Sequence, residues 1–152
     1  MNAPRLPLSV YEEAAFKLFG VDVGVVGAMA GLDVRAVIEG NRLFTEFKGA
    51  LTEQFVAQQL VATTGGVPHY WASGPGGAEV DFLAQCGSDV VPIEAKAERN
   101  LQAKSLRVFR EKYDPVVAVR TSLMPYAARP GLIDLPLYGI GQLPEVVRAG
   151  CA

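Results

Sequence analysis

AEVDFLAQCGSDVVPIEAKA, residues 78–97, decides the fold. Two runs of strand-forming residues, AEVDFLAQ and VVPIEAKA, flank the turn signal CGSD, so the spacing predicts an antiparallel hairpin. Upstream, PHYWAS predicts a short aromatic strand, closed by the turn GPGG. The three runs make a meander. Side chains alternate along a strand, so Glu79 and Asp81 share one face of the second run and Val80 and Phe82 the other. In PIEAKA, Ile93, Ala95 and Ala97 form an apolar face, and Glu94 and Lys96 point together to the opposite side. The short turn makes the two strands neighbours and sets Asp81 beside Glu94, with Lys96 near both.

Helical patterns surround the meander. TEFKGALTEQFVAQQLVA, residues 45–62, predicts a long helix ended by TTGG. NLQAKSLRVFREKY, residues 100–113, predicts a helix of about fourteen residues with Asn100 as its cap. Then come DPVVAVRT as a buried strand, a proline-rich loop, LPLYGI as a short strand and a last helical turn in LPEVVRAG. Near the start, Ser9 and Glu12 stand at capping-box spacing, and VDVGVVGAMAGLDVRAVIEG holds one or two short helices broken by glycine. The order predicts a sheet with helices on it, α/β or α+β. We expect a single domain, in which residues 1–40 form a helical segment packed on a core of residues 41–152.

Composition narrows the classes. At 152 residues with 50% hydrophobic and 20% charged side chains, the chain is long and apolar enough for a real core. A net charge of -2 excludes a strongly basic nucleic-acid coat, though not a local basic patch. Cys86 and Cys151 have neither a disulfide framework nor metal-site spacing and read as free thiols in a reducing compartment. The N-terminus lacks the pattern of a signal peptide. The longest mostly apolar run, VGVVGAMAGL, is too short to span a bilayer, so a cytoplasmic location is expected.

Four residues suggest chemistry. On the long helix Glu53 falls among Ala50, Val56, Ala57, Leu60 and Val61, while Gln54, Gln58 and Gln59 occupy the faces where a solvated glutamate belongs. It is either an edge glutamate with its head in water or a buried acid facing a site on the sheet. Asp81, Glu94 and Lys96 are either a cross-strand ion-pair cluster or a metal-binding group. Two acids forced together repel unless a cation lies between them. Mg²⁺ or Mn²⁺ prefers such oxygen ligands and lowers the pKa of a bound water, and a neighbouring lysine stabilises charge on a phosphate. Lys104, Arg107 and Arg110 recur every three residues, as a solvated helix face or a contact for DNA phosphates. His69, Tyr70 and Trp71 are expected to be structural.

An acid on a helix, then VD, then IEAK a hairpin later, resembles the PD-(D/E)xK nuclease-like superfamily, with Val80 in place of the proline before the aspartate. FKLFGVDVGVVGAM, GALTEQFVAQQL, HYWAS with GAEVDF, PIEAKAERN with SLRVFREKY, and LPLYGI together resemble one family within it. That family is a C-terminal domain, of unassigned activity, of bacterial and archaeal AAA+-type ATPases. The resemblance runs from Leu6 to Leu143.

It implies a restriction-endonuclease-like core, a mixed sheet flanked by helices. It implies metal ligation by Asp81 and Glu94, catalytic assistance by Lys96 and a supporting role for Glu53. No phosphate-binding loop of the G-x-x-x-x-G-K-[ST] kind occurs, so the ATPase domain is expected to be absent and the chain to be a fragment or a free-standing relative. Two functions follow as expectations. One is a metal-dependent nuclease acting on DNA phosphodiesters with Mg²⁺ or Mn²⁺. The other is a non-catalytic DNA- or protein-binding module that accompanies an AAA+-type ATPase domain or subunit. Self-association into a homo-oligomer is a further expectation, for a fragment with exposed apolar surface.

Overall fold

The computed structural model describes residues 8, 16–32, 35, 42–74, 76–98 and 103–150, without the side chains of residues 42–46, 86 and 150. Among the described residues there are four α-helices and six strands. In chain order they are α1 (Val23–Met29), α2 (Arg42–Thr64), β1 (His69–Ala72), β2 (Glu79–Cys86), β3 (Asp89–Ala95), α3 (Lys104–Tyr113), β4 (Ala118–Ser122), β5 (Ala127–Arg129), β6 (Leu132–Pro136) and α4 (Leu143–Gly150). The strands form one mixed sheet in the order β1-β2-β3-β4-β6-β5. β1, β2 and β3 are the antiparallel meander, β3, β4 and β6 run parallel, and β5 pairs antiparallel with β6. A parallel step needs a crossover, and α3 supplies it between β3 and β4. The fold is thus the expected mixed sheet flanked by helices.

The two faces of the sheet bury different helices. Val56, Ala57 and Leu60 of α2 pack with Val91, Ile93, Ala95, Val119, Ile133 and Leu135. Leu106 and Phe109 of α3 pack with Trp71, Val80, Leu83 and Ala118. Along β3, β4 and β6, alternate residues go to the two sides, as the pleat requires. Phe109 is fully buried and meets Trp71 edge-on, with ring centroids 5.2 Å apart. Trp71 donates from Nε1 to the Tyr113 hydroxyl at 3.1 Å. Trp71 is therefore core, and Phe109→Ala would cost about 3–5 kcal/mol.

β2 departs from strict alternation. Val80 packs on the α3 side and Phe82 on the α2 side, where the sequence pattern had placed both on one face. The strand register explains this. His69 pairs with Leu83 but Trp71 pairs with Val80, so Tyr70 alone opposes Asp81 and Phe82. A bulge of this kind re-aims a side chain, and it falls on Asp81.

Other expectations are corrected. LPLYGI is strand only at its start: Leu135 and Pro136 end β6, and Leu137–Gln142 is a 3-10 helix. The loop before it contains β5, which its prolines had hidden. α3 is ten residues long, with no side-chain cap at Ala103, and it ends at Asp114 in the left-handed conformation, with φ 45°. Ser9, Glu12, Asn100 and Cys151 lie outside the described residues, as does the side chain of Cys86. Gly65, at φ +67°, stops α2, a backbone angle that favours glycine.

No helix among the described residues is long and apolar enough to cross a membrane.

Candidate functional site

Two glutamines build one wall of the site. Gln54 and Gln58 are not a solvated face. Gln54 is buried, accepting from Gly20 N at 2.7 Å and donating to Gly20 O at 2.8 Å. Gln58 accepts from Val23 N at 2.9 Å and donates to Asp22 at 3.2 Å. These amides clamp the segment before α1 onto α2. A Cβ at Gly20 would come within 2.4 Å of Val26, so the clamp needs glycine there. The clamped segment carries Lys17 into the centre of an acidic group.

Lys17 Nζ lies 2.6 Å from Glu79, 3.4 Å from Glu53 and 3.9 Å from Asp81, and it stands over the Tyr70 ring at 5.5 Å. Burial opposes its charge, but the Glu79 hydrogen bond and the fields of Glu53 and Asp81 outweigh that, holding its pKa above the ordinary lysine value. Lys17 went unnoticed in the sequence because its position depends on the amide clamp, not on a local pattern. FKLF did belong to the segments that carried the family resemblance.

Asp81 is mostly buried, and its Oδ2 accepts from Ala95 N at 2.8 Å. Burial first, and then the carboxylates of Glu94 and Glu53, push its pKa up to about 7, against the lowering by the Ala95 N–H and Lys17. Glu94, only 4% exposed, binds Lys96 Nζ through Oε1 at 2.6 Å. Its Oε2 is buried with no hydrogen-bond partner among the described residues. Such an orphaned oxygen costs about 1–3 kcal/mol or more, since it has left water and gained nothing.

Glu53, Asp81, Glu94 and Lys96 thus stand together around the end of β3, with Glu53 half-exposed at the edge of its apolar stripe and Lys17 at its head group. Thr121 Oγ1, at the end of the parallel neighbour β4, is also buried and without a partner among the described residues. The carboxyl ends of parallel strands are where open α/β sheets hold ligands. Among the described residues no three His, Cys, Asp or Glu side chains already stand as a metal cage. The Lys17 ammonium lies among three of the acids.

On the α3 side a second group of charges crosses the sheet. Glu94 is in register with Arg120, and Arg120 with Asp134. Asp134 Oδ1 accepts from Arg120 Nε at 2.7 Å, and its Oδ2 lies 2.6 Å from Arg129. The signal for Arg120 and Asp134 was present in the sequence, as single charges inside the apolar strands VAVRT and LIDLP. It is the same signal that drew attention to Glu94. Lys104 and Arg107 are exposed on α3 and Arg110 is half-buried. Elsewhere, Lys48 of α2 pairs with Glu98 just after β3, tying that loop to the helix.

No curated protein and no solved structure matches the chain. The family described as Domain of unknown function (DUF4143) matches residues 48–138, more than half of the chain. That span begins inside α2 and includes Glu53, Asp81, Glu94 and Lys96, the three strands of the meander and the parallel pair beside it. Lys17 lies before it. The sheet and the group of acids therefore fall within the matched region, and the chain belongs to the DUF4143 family.

Proposed function

We propose that this is a metal-dependent, nuclease-like domain acting on DNA phosphodiesters, with a restriction-endonuclease-like core. One observation carries the proposal. Glu94 is buried and Asp81 mostly so, the Glu94 carboxylate acts on Asp81, and Glu94 Oε2 has no hydrogen-bond partner among the described residues. A structural ion pair would satisfy both acids, whereas a cation site leaves oxygen ligands in wait.

The donor set fits a hard cation, because Asp81, Glu94 and the half-exposed Glu53 offer only oxygen. Asp81 and Glu94 would hold the ion, Mg²⁺ or Mn²⁺. When bound, such an ion supplies a water of lowered pKa and neutralises charge on a phosphate oxygen. Glu94 already orients Lys96 through the 2.6 Å pair, and the ammonium would face the phosphate as negative charge grows on it. Glu53, with a third of its side chain exposed, would accept a proton or a hydrogen bond from solvent. Lys104, Arg107 and Arg110 would meet the DNA backbone. The sequence resemblance supports an AAA+-type ATPase domain or subunit as partner. Exposed Phe16, Leu18, Val21 and Met29 offer apolar surface for that partner or for a second copy of the chain.

The place of Lys17 favours a second function. With an ammonium already among the acids, the group could serve only to anchor the N-terminal segment of a non-catalytic DNA- or protein-binding module. Titration of Mn²⁺, followed by calorimetry, separates the two. Wild type should bind the ion, Asp81→Asn should bind it at least about tenfold more weakly, and Lys96→Gln should bind it normally but fail to cut a DNA duplex. Equal affinity in wild type and Asp81→Asn would refute the metal site.

A further inference from the structure

The row of charges Glu94, Arg120 and Asp134 runs under α3, and above it lies a cleft of about 440 Å³. Its walls include Lys104, Arg107 and Arg110 from α3 together with Leu106 and Leu132, and Arg120 forms its floor. Among the described residues, four cationic side chains line this space and no acid does. Arg120 is buried and fixed by Asp134, which also takes the more exposed Arg129, while on the cleft wall Arg107 pairs with Glu111 along its own exposed helix face. Converging like charges repel unless an anion comes between them.

We infer that the cleft binds a phosphate group of a nucleic-acid backbone, next to the phosphate held at Glu94 and Lys96. The inference rests on the nucleic-acid function proposed above and gives it a second contact point. The floor residue Arg120 is the direct register partner of Glu94, so the two sites spring from neighbouring strands. A phosphodiester chain presents anions in series, and adjacent phosphates can then reach both places. Ser105, at the start of α3, accepts from Glu79 N at 3.3 Å, which fixes the basic helix to the strand that carries Asp81. Asp134 and Arg129 are positioning residues: they set the Arg120 guanidinium and need not touch the phosphate. An acidic peptide is the weaker fit, since its carboxylates, though each carries the same single charge, are not strung at the close, regular interval of backbone phosphates. Because the whole chain carries a net charge of -2, there is little general attraction for DNA, and binding must depend on this cleft.

The test uses the full chain in EDTA, with a fluorescein-labelled DNA duplex read by anisotropy at several salt concentrations. The combined variant Lys104→Gln, Arg107→Gln, Arg110→Gln changes two exposed and one half-buried side chain and should fold as wild type does, which its circular dichroism spectrum checks. It should bind roughly tenfold or more weakly, and the slope of log K against log salt should fall by about one for each phosphate the variant no longer neutralises. Arg120→Lys keeps the charge but loses the fork, and should weaken binding while leaving the circular dichroism spectrum unchanged. Arg148→Gln, on α4, should change nothing. The pocket is refuted if wild type fails to bind at low salt, if the triple variant binds as wild type does, or if polyglutamate competes as well as DNA. A protein that binds the duplex through α3 in EDTA but never cuts it with Mn²⁺ would refute the catalytic proposal and leave this one intact.

Discussion

Asp134 and Asp81 sit three strands apart in one sheet, each a carboxylate inside an otherwise apolar strand. Asp134 has a guanidinium on each oxygen, Arg120 at 2.7 Å and Arg129 at 2.6 Å. Asp81 has a backbone N–H at 2.8 Å, a lysine no nearer than 3.9 Å, and two other carboxylates in its field. The first is closed on itself, its charge matched within the fold. The second is mostly buried beside other acids, and burial first, then the carboxylates of Glu94 and Glu53, raise its pKa to about 7. A fold that can satisfy an aspartate so completely at one place has no general difficulty in doing so. The deficit at Asp81 is local, and it coincides with the bulge and with the orphaned Glu94 oxygen, the two features on which the proposed cation site rests.

Removing each acid in turn puts the comparison at risk. Asp134→Ala strips the carboxylate from a buried pair and should destabilise the protein by about 3–5 kcal/mol in urea unfolding. A loss below about 1 kcal/mol would mean that the cluster is not closed and structural. Asp81→Asn should act in the opposite direction. Because the folded-state pKa of Asp81 is raised above its ordinary value of 3.8, the native state holds the proton more tightly. Its contribution to stability is present below about pH 4, is lost as pH rises to about 7, and is flat beyond. Asparagine can still accept from Ala95 N but never ionises. At pH 8 the variant should therefore be more stable than wild type by one to a few kcal/mol, at about 1.4 kcal/mol for each tenfold change in acid strength on folding. The two should converge near pH 4. A variant less stable at pH 8 would show that Asp81 is as well satisfied as Asp134.

The meander, both long helices and the pairing of Glu94 with Lys96 were legible because they follow from local period and short turns. What was hidden depends on partners far along the chain. The bulge at Asp81 is a one-residue mismatch between β1 and β2, and no pattern within β2 reveals it. Gln54 and Gln58 look like ordinary solvated residues until Gly20 and Val23 dock on them. LPLYGI has the composition of a strand, yet only its Leu135 and Pro136 pair with β4, as the end of β6, and the chain then turns into a 3-10 helix to reach α4. Arg120 and Asp134 lie inside runs that hydropathy alone reads as buried, and only their register makes them partners.

Lys17 gives the finest test of the difference between the two aspartates. At Asp134 the cations are guanidiniums set in the sheet and beside it, one of them almost wholly buried. At Asp81 the nearest cation is an ammonium on a flexible stem, partly open to water and brought in by a separate segment. Its ion pairs with Glu79 and Glu53 are partly exposed, so Lys17→Met should cost no more than about 1 kcal/mol in stability. The larger consequence concerns ions. Lys17 stands beside Asp81 and Glu53, and a divalent cation on Asp81 and Glu94 would share the first of these with it, so bound ion and ammonium compete for Asp81. Removing the ammonium should tighten Mn²⁺ binding several-fold at pH 8, where the acids are ionised. The gain should shrink toward pH 6, because Asp81 then keeps its proton more firmly than before. If Mn²⁺ bound wild type and Lys17→Met alike at pH 8, the two cations would not share a site. If it bound neither, Asp81 would belong with Asp134 after all, as a structural carboxylate whose counter-ion happens to be a lysine.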